Sequence, residues 1–338
     1  MTPSRKQSRA LRPVPQSDPA HLRIGTRGSA LALKQARMVQ SALAERGITC
    51  ELVTFTTTGD KRLGEPLSTI GGKGLFTSEI ERALQRAKVD CAVHSLKDLS
   101  TDPVAGLDLV AVLPREDPRD VLVLSSTARA VGLADLPRGS RVGTSSLRRR
   151  AQLLAVHPDL EVVELRGNVP TRLKKVDEGQ VHAAILAAAG LHRLDATQHI
   201  SAYLDPPDWL PAAGQGAIAV QVRIGDHVAY DVIAALNHEP TMRAVRAERA
   251  FLAGLDGGCQ VPIGALVMEL PGPDGLVATL HGLIADAAGR RVIRGSCILG
   301  ADPVAAGTRL ADELRSRGAD DILTALRSVA RVLPPQPE

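Results

Sequence analysis

Aromatic side chains are scarce in this chain: its 338 residues include one Trp, two Tyr and three Phe. Stacking on ring platforms, a common grip on single-stranded nucleic acid, is thereby disfavoured, and the cores must be built from Ala, Leu, Val and Ile. Long apolar runs are missing too, which excludes a spanning helix and any membrane partner of that kind. The four cysteines, Cys50, Cys91, Cys259 and Cys297, stand far apart with no C-x-x-C pair. Nothing suggests zinc or a redox dithiol, so no metal is expected, and reduced thiols in a cytoplasmic setting fit best. Neither sign of charge dominates: 41 Lys plus Arg against 37 Asp plus Glu leave a net +4, too mild to argue for a nucleic-acid partner.

From Met1 to about Ala20 the chain carries Arg5, Lys6, Arg9 and Arg12 among Ser and Pro without the apolar stretch of a secretory signal. Pro3, Pro13, Pro15 and Pro19 would break an amphipathic transit helix. Residues 1–21 are therefore expected to be a disordered tail. Beyond it, short β-branched runs alternate with helical patterns, starting with His21–Ile24 and then Ala32, Ala36, Val39 and Leu43 at helical spacing. Further strands are expected at Glu51–Thr57, Val89–His94, Leu107–Leu113, Val121–Leu124, Glu161–Leu165 and Ala183–Ala187. Such alternation implies mostly parallel sheets covered by helices. After Glu239 the pattern changes to a helix, three strands and further helices, as in a separate small α+β domain. Two proline-containing stretches, Pro114–Pro118 and Pro206–Pro211, read as paired crossings between two α/β lobes, with a ligand cleft between them. The expected division is residues 22–114 with 212–238 for the first lobe, 115–211 for the second and 239–338 for the α+β domain.

Several segments carry chemistry. A strand, Gly-Thr, small polar residues and a helix recur at Ile24–Ser29 and Val142–Ser146, each offering free backbone N–H groups at a helix start, a ready anion site. Arg27, Arg148, Arg149, Arg166, Arg172 and Arg193 fall at element ends and together suggest a clamp for carboxylates or phosphates. Taken singly, each is better explained as a solvated surface arginine. Gly71-Gly72-Lys73-Gly74 lacks the Ser/Thr of a nucleotide phosphate loop, and Gly214-Gln215-Gly216 precedes a strand where a dinucleotide site needs a helix. Both read as tight turns that let backbone approach a ligand. His94-Ser95-Leu96-Lys97-Asp98 places a lysine and a carboxylate just past a strand's C-terminal end, making Asp98 the acid/base candidate and His94 a structural residue. Cys259, in Asp256-Gly257-Gly258-Cys259-Gln260-Val261-Pro262, sits on a loop too glycine-rich for core, which suggests an exposed functional thiol.

In this order the segments around Lys73, Asp98, Arg148, Arg166, Gln215 and Cys259 closely resemble those of the hydroxymethylbilane synthase, or porphobilinogen deaminase, family, from Leu22 to the C-terminus. The resemblance implies two type II periplasmic-binding-protein-like α/β lobes with a central cleft and a small α+β C-terminal domain. It implies a transferase of tetrapyrrole and haem biosynthesis that condenses four porphobilinogen molecules head to tail, with loss of ammonia. The chain would grow on a dipyrromethane cofactor, one per protein chain, bound covalently through a thioether that matches Cys259, and 1-hydroxymethylbilane would be released by hydrolysis. Asp98 matches the catalytic aspartate. Ser95, Lys97, Asp98, Thr144, Ser146, Arg148, Arg149 and Gly167 match cofactor-binding positions, and Arg27, Ser29, Lys73, Arg149, Arg166, Arg172, Arg193 and Gln215 match substrate-binding positions. No self-complementary apolar stripe stands out, so a cytoplasmic monomer is expected, and the resemblance implies that its product passes to uroporphyrinogen III synthase. Two departures stand out: Thr69 where some members have a second loop lysine, and Ser100 where proline is common. The competing reading from another class is a non-catalytic organic-anion solute-binding protein, which the same lobes and arginines would serve.

Overall fold

The computed structural model describes residues 14–18, 20–61, 74–126, 128, 130–256, 261–272 and 275–332. The chain opens with β1 (His21–Arg27), in which Leu22 and Ile24 are fully buried. Ser29 then caps α1 (Ala30–Ala44) by accepting from the Ala32 amide, and Ala32, Ala36, Val39 and Leu43 turn one apolar stripe to the sheet. Next come β2 (Thr49–Phe55), α2 (Ser78–Gln85), β3 (Cys91–Ser95) and β4 (Leu107–Val112). The chain then passes to a second sheet formed by β5 (Asp120–Leu124), β6 (Arg141–Gly143), β7 (Glu161–Val163), β8 (Ala183–Ala187) and β9 (Ala202–Leu204). Its helices are α3 (Leu147–Val156), α4 (Val169–Asp177) and α5 (Ala188–Arg193). Finally β10 (Ile218–Arg223) returns to the first sheet, followed by α6 (His227–Ala234).

The strand orders are β2-β1-β3-β10-β4 and β7-β6-β8-β5-β9. In each, the first three strands run parallel and the fourth is antiparallel to both neighbours. That antiparallel strand is the one arriving from the other sheet, so the two lobes share one topology and are joined by two crossings. This is the two-lobed α/β class expected from the sequence. In both, the parallel strands end toward the crossings, and open α/β sheets bind ligands outside such carboxyl ends.

Residues 14–18 differ from the expected tail. Ser17 is buried, its hydroxyl donating to Asp226 Oδ2 at 2.7 Å and its amide to Asp226 Oδ1 at 3.1 Å. Asp226 and Asp90 are both paired with the buried Arg223, and the Ser17 hydroxyl and amide supply donors that this cluster still needs.

After Glu239 the chain forms α7 (Glu239–Gly254), the antiparallel meander β11 (Ile263–Gly272), β12 (Gly275–Ala285) and β13 (Val292–Ile298), then α8 (Pro303–Leu314) and α9 (Asp320–Val332). Its core gathers Phe251, Leu255, Leu280, Ile284, Leu310 and Leu314. At Gly307 a Cβ would stand 2.3 Å from the Ala247 carbonyl, so only glycine permits this contact between α7 and α8. The unit rests on the second lobe through Ala151 and Leu210 against Leu266, Leu283 and Ala285. It rests on the first through Met242 and Val245 against Leu96 and Leu99.

Candidate functional site

Ser95, Lys97, Arg149, Arg172, Arg193 and Gln215 line one cleft between the lobes, which encloses about 520 Å³ of empty space including its open mouth. They come from the end of β3 and the turn after it, from α3, α4 and α5, and from the second crossing. Sequence separations of up to about 120 residues are thus closed by the topology alone. Asp98 ends the single turn Leu96–Asp98 that follows β3, is half-buried, and acts electrostatically on both Lys97 and Arg172.

Burial lowers Lys97, Arg172 and Arg193 in this cleft, and neighbouring arginines add to it at Lys97 and Arg172. Burial pushes the Lys97 ammonium down to about 8, with Arg149 adding repulsion and Asp98 and Asp120 opposing it. Lys97 Nζ donates to Gln215 Oε1 at 3.3 Å. Arg172 is lowered to about 10, by burial first and then by Arg149, with Asp98 again opposing. Its Nε donates to the Gly167 carbonyl at 2.8 Å, and Gly167 is able to present that carbonyl because it sits at φ +113°. Burial also lowers Arg193, which donates to the Gly216 carbonyl at 2.7 Å.

Arg148 and Arg149 are buried, and the residue that permits this is Asp120, which lies outside the site residues expected from the sequence. Its carboxylate is fully buried and accepts four bonds: from Arg149 and Gln215 on Oδ1, at 2.7 and 2.8 Å, and from Arg148 and Trp209 on Oδ2, at 2.7 and 2.8 Å. Burial alone would raise Asp120, but the two guanidinium groups outweigh it and hold the carboxyl far below its ordinary range. The available signal was an aspartate opening an otherwise apolar strand. Arg148 is committed to Asp120 and to the Leu210 carbonyl and lies beneath the cleft wall.

Other expected residues stand further out or serve the local backbone. Arg27 pairs with Asp60 and lies over the Phe76 ring, 4.4 Å from its centroid. Burial would raise Asp60, but hydrogen bonds from Arg27 and Thr57 override it and keep it below its ordinary value. Ser29 and Ser146 are the N-caps of α1 and α3, and the Thr144 hydroxyl accepts from the Ser146 amide at 3.1 Å. Ser95 bonds Gln35 on α1. Arg166 is half-buried at the end of the loop before α4, its carbonyl accepting from Lys175. Burial pushes His94 down to about 4, which keeps it neutral near pH 7. Lys73, Thr69 and Cys259 lie outside the described residues.

A family model described as "Porphobilinogen deaminase, dipyromethane cofactor binding domain" matches residues 22–231, and one described as "Porphobilinogen deaminase, C-terminal domain" matches residues 242–316. The chain belongs to the porphobilinogen deaminase family. It is 48% identical over 313 residues to the porphobilinogen deaminase of Moorella thermoacetica, covering 91% of this chain and 97% of that one. It is 49% identical over 308 residues to that of Pelobacter propionicus, covering 90% and 97%. Among solved structures, the methionine binding protein MetQ superposes with a TM-score of 0.42 at 15% identity, over 71% of this chain and 95% of that one.

The family cofactor, dipyrromethane, bears carboxylate side chains, and the cleft offers donors to match. Among the described residues, the buried Nε atoms of Arg149 and Arg193 have no hydrogen-bond partner, and Nε is the one Arg172 donor bonded within the protein. Such donors are costly unless an acceptor arrives, and a polycarboxylate is an acceptor of that kind. The residues fit the porphobilinogen deaminase cofactor.

Proposed function

We propose that this protein is a transferase that joins four porphobilinogen molecules head to tail, releasing ammonia at each step, onto a covalently held dipyrromethane, and frees 1-hydroxymethylbilane by hydrolysis. The observation that carries the reading is the convergence of Lys97, Arg149, Arg172 and Arg193 from both lobes on one cleft beside Asp98. Porphobilinogen carries an acetate and a propionate, so every added unit brings two carboxylates into that cleft. Forked guanidinium donors in a partly desolvated wall hold such groups in fixed orientation.

Dipyrromethane, when bound through Cys259, supplies the free pyrrole carbon from which the chain is extended. Lys97 and Arg149 border the region where its carboxylates would lie, with Arg148 behind them on Asp120 and Ser95, Thr144, Ser146 and Gly167 shaping the adjoining backbone. Arg172, Arg193 and Gln215 would orient the incoming porphobilinogen, with Arg27, Ser29, Arg166 and Lys73 at its outer edge. Asp98 would accept a pyrrole N–H and offset the positive charge that develops on the substrate as ammonia leaves, the task of a preplaced carboxylate in general acid–base and electrostatic catalysis.

On this reading residues 22–114 with 212–238 and residues 115–211 are the two lobes, and 239–338 is the cofactor-attachment domain. The protein works as a cytoplasmic monomer and its product passes to uroporphyrinogen III synthase. Among the described residues no helix is long and apolar enough to cross a membrane. The test is the intact mass of the denatured protein beside Cys259→Ala, with porphobilinogen consumption in parallel. A dipyrromethane mass on the parent, none on the variant, and turnover by the parent alone are expected. An unmodified, inactive parent that still binds porphobilinogen would instead make it a solute-binding protein.

A further inference from the structure

The turn carrying Lys97 and Asp98 is anchored at both ends by its backbone. Leu96 N donates to the Ala217 carbonyl and Leu99 N closes the turn onto Leu96, at 3.0 and 3.1 Å. Directly after it, the carbonyls of Leu99 and Ser100 both receive the guanidinium of Arg249, at 3.0 and 2.7 Å. Arg249 lies on α7, about 150 residues away in the C-terminal unit. From the same helix Met242 and Val245 pack on Leu96 and Leu99.

Arg249 is placed unlike the ordinary interface arginine. No ion pair forms at it among the described residues, and burial alone lowers its pKa. Its neighbour Glu248 cannot serve, because that carboxylate already accepts from Arg115, at 2.6 and 3.0 Å, and from the Gly214 and Val267 amides, at 2.8 and 3.0 Å. A desolvated cation without a counter-charge is poor glue, since an apolar side chain of similar volume would hold the same interface at less cost. What the guanidinium adds is direction: two donors at fixed spacing on two consecutive carbonyls set the exit path of the turn, and with it the aim of the Asp98 side chain.

We infer that Arg249 is a positioning residue for the reaction, through which the C-terminal unit fixes the Lys97–Asp98 turn against the cleft. The inference rests on the deaminase reading and on Asp98 as its catalytic carboxylate. Misplacing a reacting group by about 1 Å costs on the order of 100-fold in rate. Arg249→Met keeps the apolar stem and loses both bonds. Per cofactor-loaded molecule, kcat for porphobilinogen consumption should fall about 10- to 100-fold while KM changes less than about threefold. Amide exchange across residues 96–100 should quicken without a matching rise across α7.

Arg249→Lys keeps stem and charge but not the fork. It should lie between the parent and the methionine variant in both readouts, and it answers the same question if the methionine variant does not fold. Parent-like kcat and exchange in a folded, loaded Arg249 variant would overturn the inference, as would a fall in thermal midpoint with kcat per loaded molecule unchanged. Absence of turnover in the parent would instead refute the deaminase reading, while the exchange comparison would still report on the turn.

Discussion

Asp120→Asn is the sharpest probe of how the cleft tolerates its arginines. The carboxylate receives four donors, two on each oxygen: Arg149 and Gln215 on one, Arg148 and Trp209 on the other. An asparagine has one acceptor oxygen, and whichever way its amide is turned, the NH2 faces two donors. Two hydrogen bonds, at least one of them to a guanidinium, are lost, and two buried cations lose their counter-charge. Bonds to charged groups contribute about 1.5–3 kcal/mol each, and breaking a buried pair from one side costs about 3–5 kcal/mol; the two routes agree on about 3–5. With a urea dependence of about 3 kcal/mol per molar, the midpoint should drop by about 1–1.7 M. Trp209, the sole tryptophan, donates to this carboxylate and reports the transition by its fluorescence. Asp205→Asn is the control, because Asp205 is 68% exposed where it meets Arg119 and should change stability by less than about 1 kcal/mol. If both variants shift the midpoint equally, the four-donor account is wrong. Asp120 is held below its unfolded value near 3.9, so its contribution is complete at neutral pH. That contribution is lost as the pH falls below about 4.

The other expectations are as follows. Asp98→Asn should fold with the parent's thermal midpoint and carry the cofactor mass, because the Asp98 side chain makes no hydrogen bond among the described residues, yet lose at least about 100-fold in turnover; parent-like consumption of porphobilinogen would remove it from the chemistry. Uptake of dipyrromethane by the cofactor-free protein should weaken as the pH rises through about 8, where Lys97 sheds its proton, and this limb should be absent in Lys97→Met; a limb retained in that variant would assign it elsewhere. Gly216→Ala should destabilise by more than about 2 kcal/mol, because its Cβ would meet the Glu116 carbonyl of the other crossing at 2.3 Å from a backbone at φ +88°. A parent-like urea midpoint for that variant would mean that the two crossings separate more easily than their bonds indicate.

Fold class was legible because periodicity records burial. The β1–α1 unit reads directly from Leu22, Ile24, Ala36, Val39 and Leu43, which are all fully buried. Strand ends were less legible: the run expected from Val89 enters the sheet's register at Cys91, because the Arg23 amide donates to the Asp90 carboxylate, although the Asp90 amide still reaches the Arg23 carbonyl. Resemblance supplied the site residues as a set, whereas local pattern alone gave isolated arginines. What neither revealed was how those arginines are held. Asp120 and Glu248 each accept four donors from segments scattered along the chain. Such a carboxylate leaves no spacing signature, since its partners meet only after both lobes and the C-terminal unit have packed. The docking of Ser17 on Asp226 is hidden for the same reason.

The charge arrangement of the cleft also explains why it suits a growing polyanion and not one small acid. Four cations, Lys97, Arg149, Arg172 and Arg193, face it. Of the two aspartates nearby, Asp120 is saturated by its own arginine pair, leaving Asp98 to answer for the rest. Burial first, and neighbouring arginines next, hold Lys97 at about 8 and Arg172 at about 10. Each carboxylate that enters raises both values again, so a ligand acts as a missing structural counter-charge. One small acid would satisfy one or two of these donors. A chain that adds two carboxylates with every unit can go on satisfying them, and the cleft need not be rebuilt at each step for the attraction to persist. On the proposed reading, specificity for the reacting end then comes from Asp98, the carboxylate on the turn that α7 contacts.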